Sequence, residues 1–455
     1  MSPTEKINRY NEISRKYGDP WIWGIYITLL IISVVESYSA SSREIAAQGI
    51  YMPIVKQCVF LGIGALCVVF LQRVDYNKPK FLYAMIPGLA VITVVSLIYV
   101  MFFGEVINGA QRAMTIIPGL VTLQPAELAK LSIVTMLSYI FAKSQKNRDI
   151  SNRGMFGAAF VVALYGGLMI RSGLTNTLLL VAISFSMLLI GGAQFKKIGY
   201  LMGFFVVMMG LFFIIKQNND KKQEVFNETQ KEMQMNSMPS SSVVLNDAPS
   251  DGQKANRLRS GTWKNRLREW WHSDSLVYRD ITDKNQQEMF SRMAQAHGGI
   301  FGRGVGQSRE CSRLPLAFSD YIFSIIVEEL GMVGGIFVLL LYLSLLGRAA
   351  MIVRHSKRVL PSLLVIGMAS FITFQALFHM AINVGVFPVS GQPLPLISKG
   401  GTSILVISIA FGVMLSVSRT IANGGNKKDK ADETPVIEGL DAVNPTEIPP
   451  KNVWK

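Results

Sequence analysis

The apolar residues of this chain neither alternate nor recur on one helical face; they fall in long unbroken runs separated by short polar stretches. Crossing about 30 Å of hydrocarbon takes roughly 20 helical residues. Ten runs have that length, near residues 21–39, 53–72, 81–103, 125–142, 154–171, 174–194, 198–216, 320–347, 360–386 and 402–421. The tight connections at 171–174 and 195–197 make the fifth to seventh runs almost one block. The pattern predicts an all-α, polytopic membrane protein of about ten transmembrane helices. Residues 1–20 form a tail, 21–421 the membrane domain, 217–319 a large loop within it before the eighth span, and 422–455 a disordered second tail. The first run lacks a small-residue cleavage site and reads as an uncleaved span.

Composition agrees: half of the 455 residues are hydrophobic and 16% are charged, too apolar for an ordinary soluble domain of this length. The net charge of +15 would suit nucleic acid, but Lys and Arg sit between apolar runs and in the tails, with no aromatic-interleaved basic patch. Their placement reads as topology. Arg73, Lys78 and Lys80, then Lys143, Lys146, Arg148 and Arg153, then Lys196 and Lys197, then Arg348, Arg354, Lys357 and Arg358 follow the even-numbered spans. The positive-inside bias puts those loops and both termini in the cytoplasm. The opposite short loops carry little beyond Arg43, Arg112, Arg171 and Lys399. Cys58, Cys67 and Cys311 imply no disulfide framework, and the four histidines lack ligand spacing.

The 217–319 loop lies outside on this topology. Its first part is rich in Asn, Gln, Lys, Glu and Ser; from Trp263 onward Trp270, Trp271, Tyr278, Met289 and Met293 suggest short amphipathic helices at the membrane surface. Three outward strings could carry chemistry. The first runs from Asn108-Gly-Ala-Gln-Arg112 to Leu123-Gln-Pro-Ala-Glu-Leu-Ala-Lys130. Pro125 suits a helix start, Glu127 sits where the helix dipole favours an anion, and Lys130 is three residues on, on the same face. These two charges form either a structural ion pair or, through Lys130 with Arg112, a grip on an anionic substrate group. The second string, Gly298-Gly-Ile-Phe-Gly-Arg-Gly-Val-Gly-Gln-Ser-Arg309, leads to Asp320 at the mouth of the eighth span. No strand precedes its glycines, so it is not a dinucleotide fingerprint. It is either a flexible loop or, with Arg303, Arg309 and Arg313, a phosphate-gripping one. A carboxylate next to lipid, as at Asp320, is costly and marks a functional site by default. The third string, Phe387 to Ser403, is broken by three prolines and a Gly pair yet stays apolar. Irregular backbone at membrane depth survives where it is buried in protein or lines a cavity.

Together, Asn108 to Lys130, Gly298 to Gly331 and Pro388 to Ser403 resemble the signature segments of the SEDS family, the bacterial FtsW- and RodA-like proteins, and the resemblance covers essentially residues 20–421. It implies a peptidoglycan glycosyltransferase that polymerises lipid II in the inner membrane, with its active site facing outward. It also implies a class B penicillin-binding transpeptidase as partner within a divisome or elongasome, the FtsW-like division type being favoured over the RodA-like one. The family's essential acid in the Asp-Tyr/Phe-Ile-Phe segment is Asp320 here. This chain departs from the family pattern at Gln111, Ala113 and Lys399, and Ser172-Gly-Leu-Thr-Asn176 stands where the family often has Pro-Asp-Leu-Gly-Thr, so the second acid is Gly173.

The chemistry such a reaction needs is a base for an attacking sugar hydroxyl and cations for a departing pyrophosphate. Asp320 is the expected catalytic base. Arg112, Lys130, Arg303 and Lys399 are the candidate leaving-group cations, and Asn108, Gln124, Glu127 and Ser398 are further expected substrate contacts. A cation on another span is the expected partner of Glu328 or Glu329. The cofactor expectation is none certain: a divalent ion, Mg2+ or Mn2+, bridging Asp320 and pyrophosphate is compatible, although the sequence has no dedicated metal cage. Two other classes stay open. A flippase or transporter would show broken helices in both halves, and the 104–124 segment is a weaker counterpart of 387–401. A scaffold that recruits the transpeptidase would leave the outward acid and cations without a use.

Overall fold

The computed structural model describes residues 3–40, 51–74, 79–107, 110–117, 121–146, 149–170, 173–205, 210, 281, 285–314, 317–356, 358–388 and 390–424. Proline opens four of the helices: α1 (Pro3–Tyr17), α2 (Pro20–Ala40), α4 (Pro79–Phe103) and α5 (Pro125–Ser144). Its fixed φ and missing N–H suit the first turn. The remaining helices are α3 (Tyr51–Leu71), α6 (Asn152–Met169), α7 (Leu174–Ile190), α8 (Gln286–Gly298), α9 (Ile322–Arg354), α10 (Val359–Asn383) and α11 (Gly401–Gly424), with residues 195–205 also helical. Seven helices are long and apolar enough to cross a membrane, those beginning near residues 20, 54, 85, 125, 322, 359 and 401. Shorter α6 and α7 occupy the fifth and sixth expected spans. Most of the seventh, together with 217–280 of the large loop and 425–455 of the tail, lies outside the described residues.

α10 is apolar on nearly every side and almost wholly buried, packing against α9, α5, α7 and α11. A helix apolar all round belongs in a protein core or in lipid, and its neighbours place α10 in the core. By contrast α4 turns Val91, Ile92, Val95, Phe102 and Phe103 outward, as a lipid-facing helix does. Between α4 and α5 the structure departs from helix: β1 (Glu105–Ile107), β2 (Ala110–Ile117) and β3 (Val121–Leu123) form a three-stranded antiparallel sheet. The weaker broken-helix counterpart expected at 104–124 is therefore this sheet. A small ribbon, β4 (Gln145–Lys146) with β5 (Asp149–Ile150), joins α5 to α6.

The amino-terminal tail is helical and anchored. Asp19 caps α2 by accepting from Trp21 N at 2.9 Å, and its Oδ2 takes Tyr10 Oη at 2.9 Å and Arg348 Nη2 at 2.6 Å. Burial, then the Asp19 charge, push the Tyr10 hydroxyl up to about 12. On the α5–α6 connection, burial raises the Asp149 carboxyl, but hydrogen bonds from Lys197 (2.6 Å), Ile150 N and Gln194 N outweigh it and hold it below its ordinary value. A depressed folded value stabilises above the unfolded value of about 3.9 and loses that stabilisation as pH falls through the folded one. In acid melting experiments, Asp149→Asn should therefore lower stability at neutral pH and flatten the fall below about pH 4.

α9 breaks at Gly331, which has φ 73° inside the helix. The glycine string docks on this break. Arg303 N and Gly304 N donate to Glu328 O (3.0 Å) and Glu329 O (2.8 Å), while Met332 N and Val333 N donate to Gly299 O (3.0 Å) and Ile300 O (3.2 Å). The backbone groups released by the kink are thus satisfied by the loop, the condition for a broken helix near lipid. A Cβ on Gly331 would lie 2.2 Å from Ile300 O, and one on Gly302 (φ 79°) 2.2 Å from Glu329 O. The glycines serve close backbone approach, not flexibility. Gly302→Ala is expected to cost at least about 1–3 kcal/mol, from the left-handed φ alone, read as a lower melting temperature in detergent. The Glu328 side chain, 0% exposed, accepts from Arg309 N (2.9 Å), Ser308 Oγ (2.5 Å) and Glu310 N (3.4 Å). Glu329 accepts from Ser39 Oγ. Among the described residues the expected cation from another span is not found: the loop's amides and Ser308 hold Glu328, because the loop folds directly over it, and Ser39 of α2 holds one oxygen of Glu329.

Candidate active site

At the end of the bundle where α10 gives way to α11, residues 384–388 and 390–400 form no helix, yet Leu394 to Ser398 are buried. Side chains supply the hydrogen bonds that a helix would have made. Tyr342 Oη donates to Pro395 O (2.6 Å), Gln375 Nε2 to Pro393 O (3.2 Å), and Ser398 Oγ accepts from Leu394 N (2.7 Å). Leu396 has φ 64°, a strained conformation held by this enclosure. The re-entrant segment is also stitched to the stretch before α9: Ser398 Oγ donates to Ser319 O (2.7 Å) and Lys399 N to Phe318 O (3.0 Å).

That stitching creates a cavity of about 200 Å3 lined from five parts of the chain. Asp320 enters from the turn before α9, Gln124 and Glu127 from the start of α5, and Lys399 with Thr402 and Ser403 from the start of α11. Asn176 comes from the first turn of α7 and Gln392 from the re-entrant segment. Asp320 Oδ1 accepts from Ser319 Oγ (2.9 Å), and the Asp320 carbonyl accepts from Asn383 Nδ2 (3.1 Å), which fixes the turn to the end of α10. The Lys399 ammonium stands over the Phe318 ring, 4.9 Å from its centroid. The first turns of α5 and α11 both line the cavity; Glu127 occupies the α5 end, its N donating to Gln124 O (3.0 Å), whereas the dipole of α11 favours an anion on the Lys399 side.

Of the residues singled out from sequence, Asp320, Glu127, Gln124 and Lys399 meet at this cavity, and Ser398 lies just behind it. Lys130 is next to it but enclosed, 0% exposed, with Nζ 2.7 Å from Glu127 Oε1 and 2.8 Å from Gln375 Oε1. Of the two readings of this pair, the geometry is that of a buried ion pair binding α5 to α10. Arg303 does not reach the cavity: its Nε donates to His297 O (3.2 Å) in the last turn of α8. Arg112 lies in β2, with its side chain outside the described residues, as is all of Asn108. Sequence reasoning did not single out Gln392 or Ser403, and it treated Asn176 solely as part of a divergent segment. Among the described residues no three His, Cys, Asp or Glu side chains are grouped to hold a metal ion. At the cavity a divalent ion would find Asp320 and Glu127, with Oε1 of Glu127 already taken by Lys130.

Residues 20–240 and 258–423 match the cell cycle protein family of FtsW, RodA and SpoVE. The chain belongs to that family. Stage V sporulation protein E of Bacillus subtilis is 27% identical over 413 residues, covering 90% of this chain and 99% of that protein. The peptidoglycan glycosyltransferase MrdB of Escherichia coli is 24% identical, covering 91% and 97%. A probable peptidoglycan glycosyltransferase FtsW of Burkholderia thailandensis is 28% identical, covering 89% and 79%. Among solved structures, the fold is similar to the rod shape determining protein RodA of Thermus thermophilus, with a TM-score of 0.56 and 20% identity over 89% of this chain and 97% of that one. It is also similar to a chain of a peptidoglycan synthase complex described as coordinating polymerisation and crosslinking, with a TM-score of 0.59, 21% identity, and coverage of 89% and 98%. The SEDS-family protein described here is thus a multi-pass, mostly helical membrane protein.

Proposed function

We propose that this protein is a peptidoglycan glycosyltransferase that polymerises lipid II into glycan strands at the outer face of the cytoplasmic membrane. The observation that carries the reading is the cavity that holds Asp320 and Lys399 beside two helix N-termini. The reaction needs a base and an anion-stabilising site within one substrate's reach, and this cavity supplies both.

Asp320 removes the proton from an acceptor sugar hydroxyl as its oxygen attacks the anomeric carbon of a second lipid-linked sugar. The bond from that carbon to the pyrophosphate oxygen breaks, and the charge passes to the lipid pyrophosphate. Lys399 and the first-turn amides of α11 stabilise it there, and their preorganised dipoles avoid reorganisation in the transition state. A divalent ion, were one bound, would be held by Asp320 and would supply positive charge to the leaving pyrophosphate. Basic loops and both termini lie on the cytoplasmic side by the positive-inside bias, which leaves the cavity facing outward. The names of the similar proteins support glycosyl transfer in peptidoglycan synthesis, and the similarity to a chain of a synthase complex that coordinates polymerisation and crosslinking supports a crosslinking partner, a class B transpeptidase in a division- or elongation-type assembly on this reading. The Val389-Ser-Gly-Gln-Pro-Leu-Pro-Leu string and the tail favour the division type.

The test is glycan-strand synthesis by purified protein with lipid II, with and without the transpeptidase. Strands are expected. Labelled lipid II that crosses a vesicle bilayer without strand formation would make the protein a transporter, and neither activity would leave recruitment of the transpeptidase as its role.

A further inference from the structure

The cavity carries chemistry beyond a base and a cation. Three of its buried atoms have no hydrogen-bond partner among the described residues: Glu127 Oε2, Gln392 Oε1 and Ser403 Oγ. A buried polar atom is ordinarily paired, and each exception calls for an explanation. Two of these atoms only accept hydrogen bonds and the third can do either. Gln392 is also held with unusual care for a residue in an irregular segment. Its Nε2 donates to Asn176 Oδ1 at 2.8 Å, which turns Oε1 away as an acceptor, and its carbonyl takes His379 Nδ1 at 2.6 Å. His379 is fully buried in α10 and Asn176 lies in the first turn of α7, so one helix fixes the Gln392 backbone and another its side-chain amide.

We propose that this acceptor-rich part of the cavity, centred on Gln392, binds hydrogen-bond donors of the substrate's sugar, a ring hydroxyl or an acetamido N–H, while the pyrophosphate occupies the Lys399 side. Phosphate oxygens offer acceptors alone and would repel Glu127 Oε2 and Gln392 Oε1, whereas a sugar presents several donors on one face. Gln392 is the contact and Asn176 positions it. This division of the cavity rests on the glycosyltransferase reading, and it concerns specificity, not the proton transfer at Asp320.

The test compares lipid-linked substrates with the sugar intact, with the acetamido nitrogen methylated, and with single ring hydroxyls replaced by hydrogen. A site built around a hydrogen bond rejects the analogue that lacks it. Wild type should lose about tenfold in kcat/KM on the one analogue missing the paired donor. In Gln392→Leu that ratio should fall close to one, with the ratios for the other analogues unchanged. Asn176→Ala should relax the same ratio to a smaller degree. Equal losses on every substrate in Gln392→Leu would make the residue structural and overturn the proposal, and if that variant does not fold, Asn176→Ala alone decides on the same criterion. Should wild type make no strands from any substrate, the catalytic reading fails separately. The subsite is then read from binding of the same substrates to Asp320→Ala, where equal affinity for intact and analogue sugars would refute it.

Discussion

Asp320→Ala is expected to lower glycan-strand synthesis by about 10²- to 10⁴-fold, the range that a positioned general base supplies, while leaving the protein folded. The two halves of that expectation have separate structural grounds. The loss follows because the carboxylate faces the cavity beside Lys399 and the α11 N-terminus, where an attacking hydroxyl and a departing pyrophosphate would meet. The retained fold follows because the contact that ties this turn to α10 uses the backbone: Asn383 Nδ2 donates to the Asp320 carbonyl, which alanine keeps. The measurement is strand length by gel with lipid II and the transpeptidase present, alongside a melting curve in detergent. Normal polymerisation by Asp320→Ala would remove the base assignment. A collapsed melting temperature would instead show that the carboxylate is structural.

Lys130→Ala should act in the opposite order, through stability first. Its ammonium is enclosed between Glu127 on its own helix and Gln375 on α10, with the Phe371 ring 5.8 Å away. Removing one partner of a buried pair leaves the other charge uncompensated, at a cost of roughly 3–5 kcal/mol. The pair Glu127→Gln with Lys130→Met removes both charges and should recover most of that stability. It should not recover activity, because Glu127 also lines the cavity. A double variant as unstable as Lys130→Ala would show that shape, not charge, holds α5 against α10. A double variant with full activity would remove Glu127 from the substrate site.

The site was legible in part, and for chemical reasons. Asp320, Glu127 and Lys399 stood out because a charge in an apolar string is conspicuous, and the cost of holding it there makes it informative. Gln392, Asn176 and Ser403 carried no such signal: neutral polar residues at span ends are common, and what distinguishes these is the side chains they meet across the bundle. Arg303 was misleading because it lies near Asp320 in sequence, whereas the glycine string folds back over the α9 kink and takes Arg303 to His297. The three-stranded sheet did leave a mark that was overlooked. Asn108-Gly109 and Pro118-Gly119 are turn dipeptides, and they stand between the residues that pair as β1, β2 and β3.

By itself the sequence determined that the chain lies in a membrane, roughly where the long helices run, and which acid to suspect. Those conclusions depend on transfer from water to hydrocarbon, and each run of residues registers that transfer locally. It could not separate α10 from α4, because hydropathy contrasts each with water and does not distinguish a protein interior from lipid. Nor could it make the cavity, because Gln124, Asn176, Asp320, Gln392 and Ser403 come from five separate stretches of chain. Only the packing of α5, α7, α9 and α11 around α10, with the re-entrant segment stitched to the turn before α9, sets those residues against one another. The decision about which polar atoms remain unpaired, and so what the cavity can bind, belongs to that packing.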